Sequence, residues 1–435
     1  MALFSQHHLN PGVKKREVFG WAMYDFANSG YTTVVLTAVF SAYFASVVAG
    51  KAEWATFAWT AALSISYAIV MLTMPTIGAL ADLRAAKKRY LVLATIGCVL
   101  STAALAFAGP GQVWLAMALI IFSNAFYSYG ESLSAAFLPE LAQRDSLGTV
   151  SGWGWSFGYL GGMLALGICL GYVLWAQGQG IAASQFVPVT MVITAAIYGA
   201  AALATFALLQ ERAQPQSEAL RAGGSASGLK ASLARLRETY LNARRYRDFM
   251  WLLLCGVFYQ GGVAVAITLA AIYAEQVIGF KQAETMLLIF VLNIAAAVGA
   301  FGFGFYQDKI GHKLALGITL VGWIATCIIA ALSTTKGQFW WAAAIAGACM
   351  GSSQSAGRAM AGMFAPQTQL AEFYGLWTFA TRLASIIGPL TYGAITWATG
   401  GNQRVAILST AVLFVLGLIA LVPVNVARGR AAASA

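Results

Sequence analysis

Four charged residues stand inside long apolar runs of the sequence: Asp25, Glu131, Arg358 and Arg382. If these runs cross a bilayer, each charge is costly unless it faces a water-filled cavity or a partner. Either arginine can hold a substrate carboxylate in a fork of N–H donors. Either acid can pair with a substrate ammonium group or carry a proton. The alternative is an internal salt bridge, for example Glu131 with Arg358, that stabilises one conformation and touches no substrate.

For the two acids both interpretations stay open. For Arg382 a contact with substrate or a gate is favoured, because no acid occupies its own apolar run.

Uncharged polar residues lie near these charges at helical spacing, three and four positions apart, which places them on one helix face. Three polar stripes have this spacing: Asp25, Asn28 and Thr32; Asn124, Tyr127 (or Ser128) and Glu131; and Gln354 and Arg358. Together with single polar residues in two other runs, the residues predicted to bind or couple substrate are Asp25, Asn28, Thr32, Asn124, Tyr127, Glu131, Gln260, Asn293, Gln354, Arg358 and Arg382.

The composition identifies the solvent around these runs. The 435 residues are 60% hydrophobic and only 9% charged, with a mean hydropathy of +0.72, whereas a soluble domain carries about a quarter charged residues. Because unpaired backbone groups are not tolerated in lipid, apolar runs of about twenty residues are predicted to be transmembrane helices. There are twelve: 19–48, 54–80, 90–108, 113–138, 150–175, 187–209, 249–274, 285–306, 314–333, 339–363, 373–398 and 405–424.

The net charge of +11 reflects topology rather than nucleic-acid binding. With the N-terminus inside, most Lys and Arg residues fall in cytoplasmic segments, and few lie outside. This positive-inside pattern predicts that both termini are cytoplasmic, in an integral protein of a bacterial inner membrane. The five cysteines all fall within predicted spans without metal-ligand spacing, so neither a metal nor a cofactor is predicted.

The chain divides into two related halves. Residues 1–209 and 249–435 each hold six spans, and the polar segment 210–248 joins them through a basic amphipathic helix. Gly78 and Asp82 recur as Gly304 and Asp308, both 226 residues later. Two six-helix halves of this kind are one repeat plan of secondary transporters.

The loops after spans 2 and 8 resemble the cytoplasmic signature of the major facilitator superfamily. The segments are GALAD (78–82), followed by three basic residues, and GFYQDKIGHK (304–313). The first copy departs from the signature at Leu83, where a base is usual, and at Ala85, where a glycine is usual. The resemblance implies an all-α fold of two pseudo-symmetric six-helix bundles, with spans 1, 4, 7 and 10 lining a central cavity.

It also implies a gate at these loops. A carboxylate there can accept bonds from loop bases or cap a neighbouring helix. The alternative is that both acids merely terminate helices. The predicted gating residues are Gly78, Asp82, Lys87, Gly304, Asp308, Lys309 and Lys313.

Four further segments resemble the vacuolar effluxer-like branch of that superfamily. They are WAMYDFANS (21–29), VSGWGWSFGYLGG (150–162), QSAGR (354–358) and EFYG (372–375), with Gly357 standing where serine is usual. Eukaryotic members are associated with export of amino acids from vacuoles. The resemblance implies transport more firmly than it implies amino acids.

The leading interpretation is a secondary transporter, not an enzyme, that moves a small polar solute such as an amino acid, zwitterion or organic anion. A monomer is the superfamily default. No GxxxxGK[ST] loop is present, so an ion or proton gradient, or facilitated diffusion, sets the direction. The alternatives are an efflux transporter for amphipathic compounds or lipids and a non-transporting receptor. An intramembrane enzyme is disfavoured because no histidine lies in an apolar run.

The first prediction concerns Asp25. If Asp25 couples a proton to transport, Asp25→Asn abolishes proton-driven flux in liposomes while the protein stays folded. Unchanged pH-dependent transport by this variant would reject the role. A thermal-shift screen against amino acids, peptides, nucleosides and organic acids then narrows the solute, because a ligand stabilises the state that it binds.

Overall fold

The computed structural model describes residues 4–50, 52, 54–214 and 245–434, and they are almost entirely helical. The basic helix predicted within 210–248 therefore lies largely outside the described residues. Each predicted apolar run corresponds to a long helix, as expected where lipid leaves the backbone no partner but itself.

Twelve long helices cover the described residues. All twelve begin and end within four residues of the predicted runs. They are α1 (Lys15–Val48), α2 (Ala55–Leu83), α3 (Lys87–Ala104), α4 (Val113–Ala135), α5 (Leu147–Gly178), α6 (Ala183–Leu208), α7 (Arg247–Gln276), α8 (Gln282–Ile310), α9 (His312–Leu332), α10 (Lys336–Phe364), α11 (Leu370–Ala398) and α12 (Gln403–Leu421). A short helix, α13 (Val426–Ser434), follows them.

Ten of these helices are long and apolar enough to cross a membrane by length and composition. The other two, α10 and α11, are 29 residues each and equally long. Their hydropathy is lower because they carry polar residues, including Gln354 and Arg358 on α10 and Arg382 on α11. Residues that were predicted to bind solute thus lower the mean hydropathy of the two helices that carry them.

Both described ends of the chain lie at one end of the bundle, which we call the terminal face. Leu9 forms an isolated antiparallel bridge with Ala142, which lies between α4 and α5. The Asn10 side chain donates to the carbonyl oxygens of Pro139 and Glu140, both at 3.0 Å. The first residues therefore fold back over the loop that joins α4 to α5.

The first six and the last six helices meet mainly through two helix pairs, α5 with α8 and α2 with α11. Glycines allow the close approach. A Cβ atom added at Gly152 on α5 would collide with the carbonyl oxygen of Ala300 on α8, and one added at Gly78 would collide with that of Ala371. These contacts lie in the half of the bundle nearer the terminal face.

The second prediction tests this close approach. Gly152→Val inserts a side chain where α5 touches α8, and overpacking of this kind typically costs about 1–3 kcal/mol of unfolding free energy. Gly167→Val is the matched control, because it lies on the same helix with no atom near its added Cβ. Titration of both variants with denaturing detergent should show a loss for Gly152→Val alone. Equal stability of the two variants would contradict the proposed contact.

Candidate functional site

The first buried ion pair joins α1 to α10. Nη1 of Arg358 lies 2.6 Å from Oδ2 of Asp25. Nη2 of Arg358 donates to the Ser151 carbonyl oxygen at 2.7 Å, and Nε lies 3.1 Å from the Ser151 hydroxyl. All three guanidinium nitrogens are therefore bonded, and only 8% of the side chain is exposed.

Aromatic rings enclose this guanidinium. Its central carbon lies 4.8 Å from the ring centroid of Trp21 and 5.3 Å from that of Trp155, which is a favourable cation–π geometry. Gly154 leaves the space for the pair, since an added Cβ would press on both Asp25 and Arg358. The two charges thus neutralise each other inside a closed aromatic pocket between α1, α5 and α10.

The second buried ion pair joins α4 to α11. Nη2 of Arg382 contacts Oε2 of Glu131, and the Tyr127 hydroxyl donates to Oε1 of the same carboxylate at 3.1 Å. The rings of Tyr67 and Tyr127 lie 5.5 and 5.6 Å from the guanidinium carbon. Glu131 is the more open partner, with 34% of its side chain exposed against 11% for Arg382.

The example of Glu131 paired with Arg358 is therefore wrong. Arg358 on α10 lies against α1 and α5, whereas Arg382 on α11 lies against α4 and α2. An acid on α4 supplies the partner that Arg382 lacks within its own helix.

The uncharged members of the polar stripes have other partners. Asn28 accepts a hydrogen bond from the Tyr198 hydroxyl at 2.7 Å, within the first six helices. The Asn124 side chain donates to the Ser66 hydroxyl at 3.1 Å. Both are buried. These two residues therefore hold helices of the first half together.

Thr32 and Asn293 bond to carbonyl oxygens of their own helices, at 3.1 Å from Ser29 and 2.8 Å from Ile289. Gln260 differs from them, because its amide nitrogen lies 2.6 Å from the side-chain oxygen of Gln354. That bond links α7 to α10.

The acids of the two signature loops, Asp82 and Asp308, each accept hydrogen bonds from backbone N–H groups of a helix in the opposite half. Asp308 on α8 accepts from Gly148 and Thr149 at 3.0 and 2.8 Å, at the first turn of α5. Asp82 on α2 accepts from the N–H of Glu372 at 3.0 Å, at the first turn of α11. Such caps satisfy exposed N–H groups and complement the helix dipole. Gly78 and Gly304 supply the close backbone contacts beside these caps.

Among the described residues, the three predicted gating lysines make no hydrogen bond to these acids, although Nε2 of His312 lies 3.6 Å from Oδ1 of Asp308. Lys87 is buried and pairs with Glu140. Lys313 donates to the carbonyl oxygens of Val422 and Val424, at the end of α12. Lys309 is exposed. Of the two geometries expected for the acids, helix capping is the one observed.

His8 adds a further contact beside the Asp308 cap. Its Nδ1 lies 2.9 Å from the Ser146 hydroxyl, and its ring packs against Trp153 and Phe305. Burial lowers the pKa of His8, and nearby His7 lowers it further. Burial and His7 therefore favour the neutral form of this imidazole, against the opposing effect of Asp308.

Several contributors were not predicted as site residues. Ser151 and Trp155 lie in the segment 150–162 that resembles the family. Their spacing of four residues places them on one helix face but does not indicate a site. Tyr67 sits in an apolar run of α2, where nothing in its neighbours distinguishes it from packing. Among the described residues, no group of His, Cys, Asp and Glu is arranged to hold a metal ion.

The fold is that of the major facilitator superfamily of membrane transporters. The human organic anion transporter MFSD10 superimposes with a TM-score of 0.70 at 16% identity, covering 94% of this chain and 99% of that one. The E. coli fucose:proton symporter FucP gives 0.69 at 15% identity, covering 93% and 97%. At these identities the likeness concerns the fold alone.

Within that superfamily, the chain belongs to the vacuole effluxer Atg22-like family, whose pattern matches residues 46–434. It is 29% identical over 410 residues to the uncharacterized MFS-type transporter YxiO of Bacillus subtilis, covering 92% of this chain and 93% of YxiO. It is 27% identical over 212 residues to autophagy-related protein 22-1 of Aspergillus niger, covering 45% of this chain and 34% of that protein. The expected family resemblance is confirmed.

The third prediction follows from the Asp25–Arg358 pair. Removing either charge leaves the other buried without a counter-ion, which typically costs about 3–5 kcal/mol. Asp25→Asn and Arg358→Gln should each lower the free energy of unfolding, and the double variant should lose much less than the sum. Asp25→Asn is thus expected to reduce stability as well as transport.

The control for these stability measurements is Glu284→Gln. It breaks the ion pair between Glu284 and Lys336, whose side chains are about two-fifths exposed. It should change stability little, because surface ion pairs contribute little. Strict additivity of Asp25→Asn and Arg358→Gln would show that the two side chains are not paired.

Proposed function

We propose that the protein is a secondary transporter that moves a small polar solute, such as an amino acid, related zwitterion or organic anion, by alternating access. The observation that carries this proposal is the position of the contacts between the halves. Both ion pairs and both helix caps join the first six helices to the last six in the half of the bundle nearer the terminal face. Such bonds would hold one side closed and break when the halves rock.

The proposed orientation places the terminal face in the cytoplasm. All twelve long helices then cross the membrane as two six-helix bundles, 1–209 and 249–435, joined by the segment 210–248. The asymmetry of the Lys and Arg residues supports this arrangement through the positive-inside rule. The conformation described here is then closed to the cytoplasm of a bacterial cell.

A polar, charged solute is favoured over a lipid because the exposed part of Glu131 brings a carboxylate to the interface between the halves. The name of the family, vacuole effluxer, supports solute transport. Protons are the proposed coupling ion, since ionisable groups lie at the same level. The proposed transporting unit is the monomer.

The fourth prediction tests alternating access with a reversible cross-link. Gly148 on the first turn of α5 lies directly against the side chain of Gln307 on α8. Gly148→Cys combined with Gln307→Cys should form a disulfide across the closed face when oxidised, because the two Cβ atoms lie close together. Oxidation should stop solute exchange in liposomes, and a reductant should restore it.

The single variants Gly148→Cys and Gln307→Cys are the controls, and oxidation should leave their exchange unchanged. Exchange at the unmodified rate in the oxidised double variant would contradict alternating access at this face. A protein that binds solute but shows no flux in any variant would instead be a receptor.

A further inference from the structure

The two buried ion pairs differ in how completely their arginines are bonded. Arg358 uses all three nitrogens on Asp25 and Ser151. Arg382 contacts Glu131 through Nη2, while its Nε is buried and has no hydrogen-bond partner among the described residues. A buried N–H without a partner is unfavourable, and a suitable acceptor would be bound there at a gain. Arg382 therefore has a buried nitrogen with no acceptor, whereas every guanidinium nitrogen of Arg358 already has one.

The partners of the two arginines also differ in access. Asp25 has 11% of its side chain exposed, against 34% for Glu131. The rings of Tyr67 and Tyr127 lie on the guanidinium of Arg382. The edge of the guanidinium that includes Nε has no hydrogen-bond partner at that nitrogen among the described residues. That edge suits a carboxylate, which accepts two parallel N–H bonds from an arginine.

We propose that a solute carboxylate replaces Glu131 on Arg382, and that Glu131 then takes a proton. This inference rests on the proposed transport function and assigns the roles within its site. The bond between Arg382 and Glu131 breaks, and the solute carboxylate accepts the N–H bonds of Arg382. One proton, released by the buffer in bulk solution, then binds the Glu131 carboxylate. Arg358 and Asp25 stay paired and hold the halves rather than the solute.

Charge balance is the physical reason for the proton. Glu131 and Arg382 together are neutral, and so are Arg382 with a bound carboxylate and a protonated Glu131. Leaving Glu131 ionised would place an uncompensated negative charge under the bound solute, which a low-polarity site disfavours. The ionisable groups near Glu131 are Tyr67 on α2, Tyr127 on α4, Arg382 on α11 and Asp25 on α1. Of these, Asp25 is already neutralised by Arg358.

Glu131 is on this account an internal competitor of the solute. While it occupies Arg382 for most of the time, the apparent affinity for a carboxylate falls by the fraction of free Arg382. Glu131→Gln removes the competing charge and keeps the shape. It should therefore bind carboxylates about tenfold more tightly than the unmodified protein, if the pair is closed about nine-tenths of the time.

The test uses full-length protein in detergent with four carboxylates: acetate, 3-phenylpropionate, alanine and phenylalanine. Each is compared with its amide, which has the same shape without the negative charge. Thermal shift and calorimetry measure affinity. Calorimetry in two buffers of different ionisation enthalpy counts the protons taken up when acetate or 3-phenylpropionate, which have no ammonium group, is bound.

We expect at least one carboxylate to bind, its amide not to bind, and Glu131→Gln to tighten the binding about tenfold. We expect close to one proton per acetate or 3-phenylpropionate bound in the unmodified protein and none in Glu131→Gln. Arg382→Gln should abolish binding, and Arg382→Lys should restore part of it. Glu284→Gln, the exposed acid of the pair with Lys336, is the matched control and should bind as the unmodified protein does.

The proposal is overturned if no carboxylate binds Glu131→Gln, if Glu131→Gln weakens binding, or if the amides bind equally well. It is also overturned if acetate or 3-phenylpropionate binds without proton uptake. These outcomes are separate from flux. A protein that binds carboxylates in this way but moves none of them in liposomes refutes the transport function and leaves the exchange at Arg382 standing. Conversely, if solutes without a carboxylate are transported and Glu131→Gln does not change their flux, the transport function stands and the exchange at Arg382 is refuted.

Discussion

The salt bridge between Asp25 and Arg358 sets the constraint on which the rest of the arrangement depends. Neither charge is stable alone at membrane depth, because burying an unpaired charge is costly. The two residues belong to opposite halves of the chain, so they are paired only while α1, α5 and α10 lie together. A transporter whose halves separate must break this contact, and the stability of the closed face is linked to the pairing of these two charges.

The helix caps also hold the two halves together, and each contributes less free energy than the buried salt bridge. Asp308 and Asp82 each satisfy N–H groups at the first turn of a helix in the other half. Such bonds are worth about 1 kcal/mol each in other proteins, so they add to closure without locking it. The glycine contacts between α5 and α8, and between α2 and α11, bring the backbones close enough for these caps to form.

Much of the fold was predictable from the sequence, because the lipid environment dictates helices of the right length. The positions of the twelve long helices and the four charged residues follow from composition and hydropathy. The partners of those charges do not. Helical spacing placed Asn28 and Asn124 on the same stripes as Asp25 and Glu131, but spacing cannot tell which neighbour each residue meets.

The crossed pairing, Asp25 with Arg358 and Glu131 with Arg382, depends on how the two halves pack, which a single helix does not encode. Tyr67 and Ser151 were missed for the same reason. Each contributes through a contact with a residue more than two hundred positions away in the chain.

The claim at the centre of this account is that charge pairing across the halves keeps the terminal face closed. Spin labels on Arg84→Cys and Leu314→Cys, two exposed positions of opposite halves at that face, report the distance between the halves by pulsed electron resonance. Introducing Asp25→Asn together with Glu131→Gln removes both acids of the two ion pairs. The account predicts that the distance distribution moves to longer values in this variant. An unchanged distribution would contradict it.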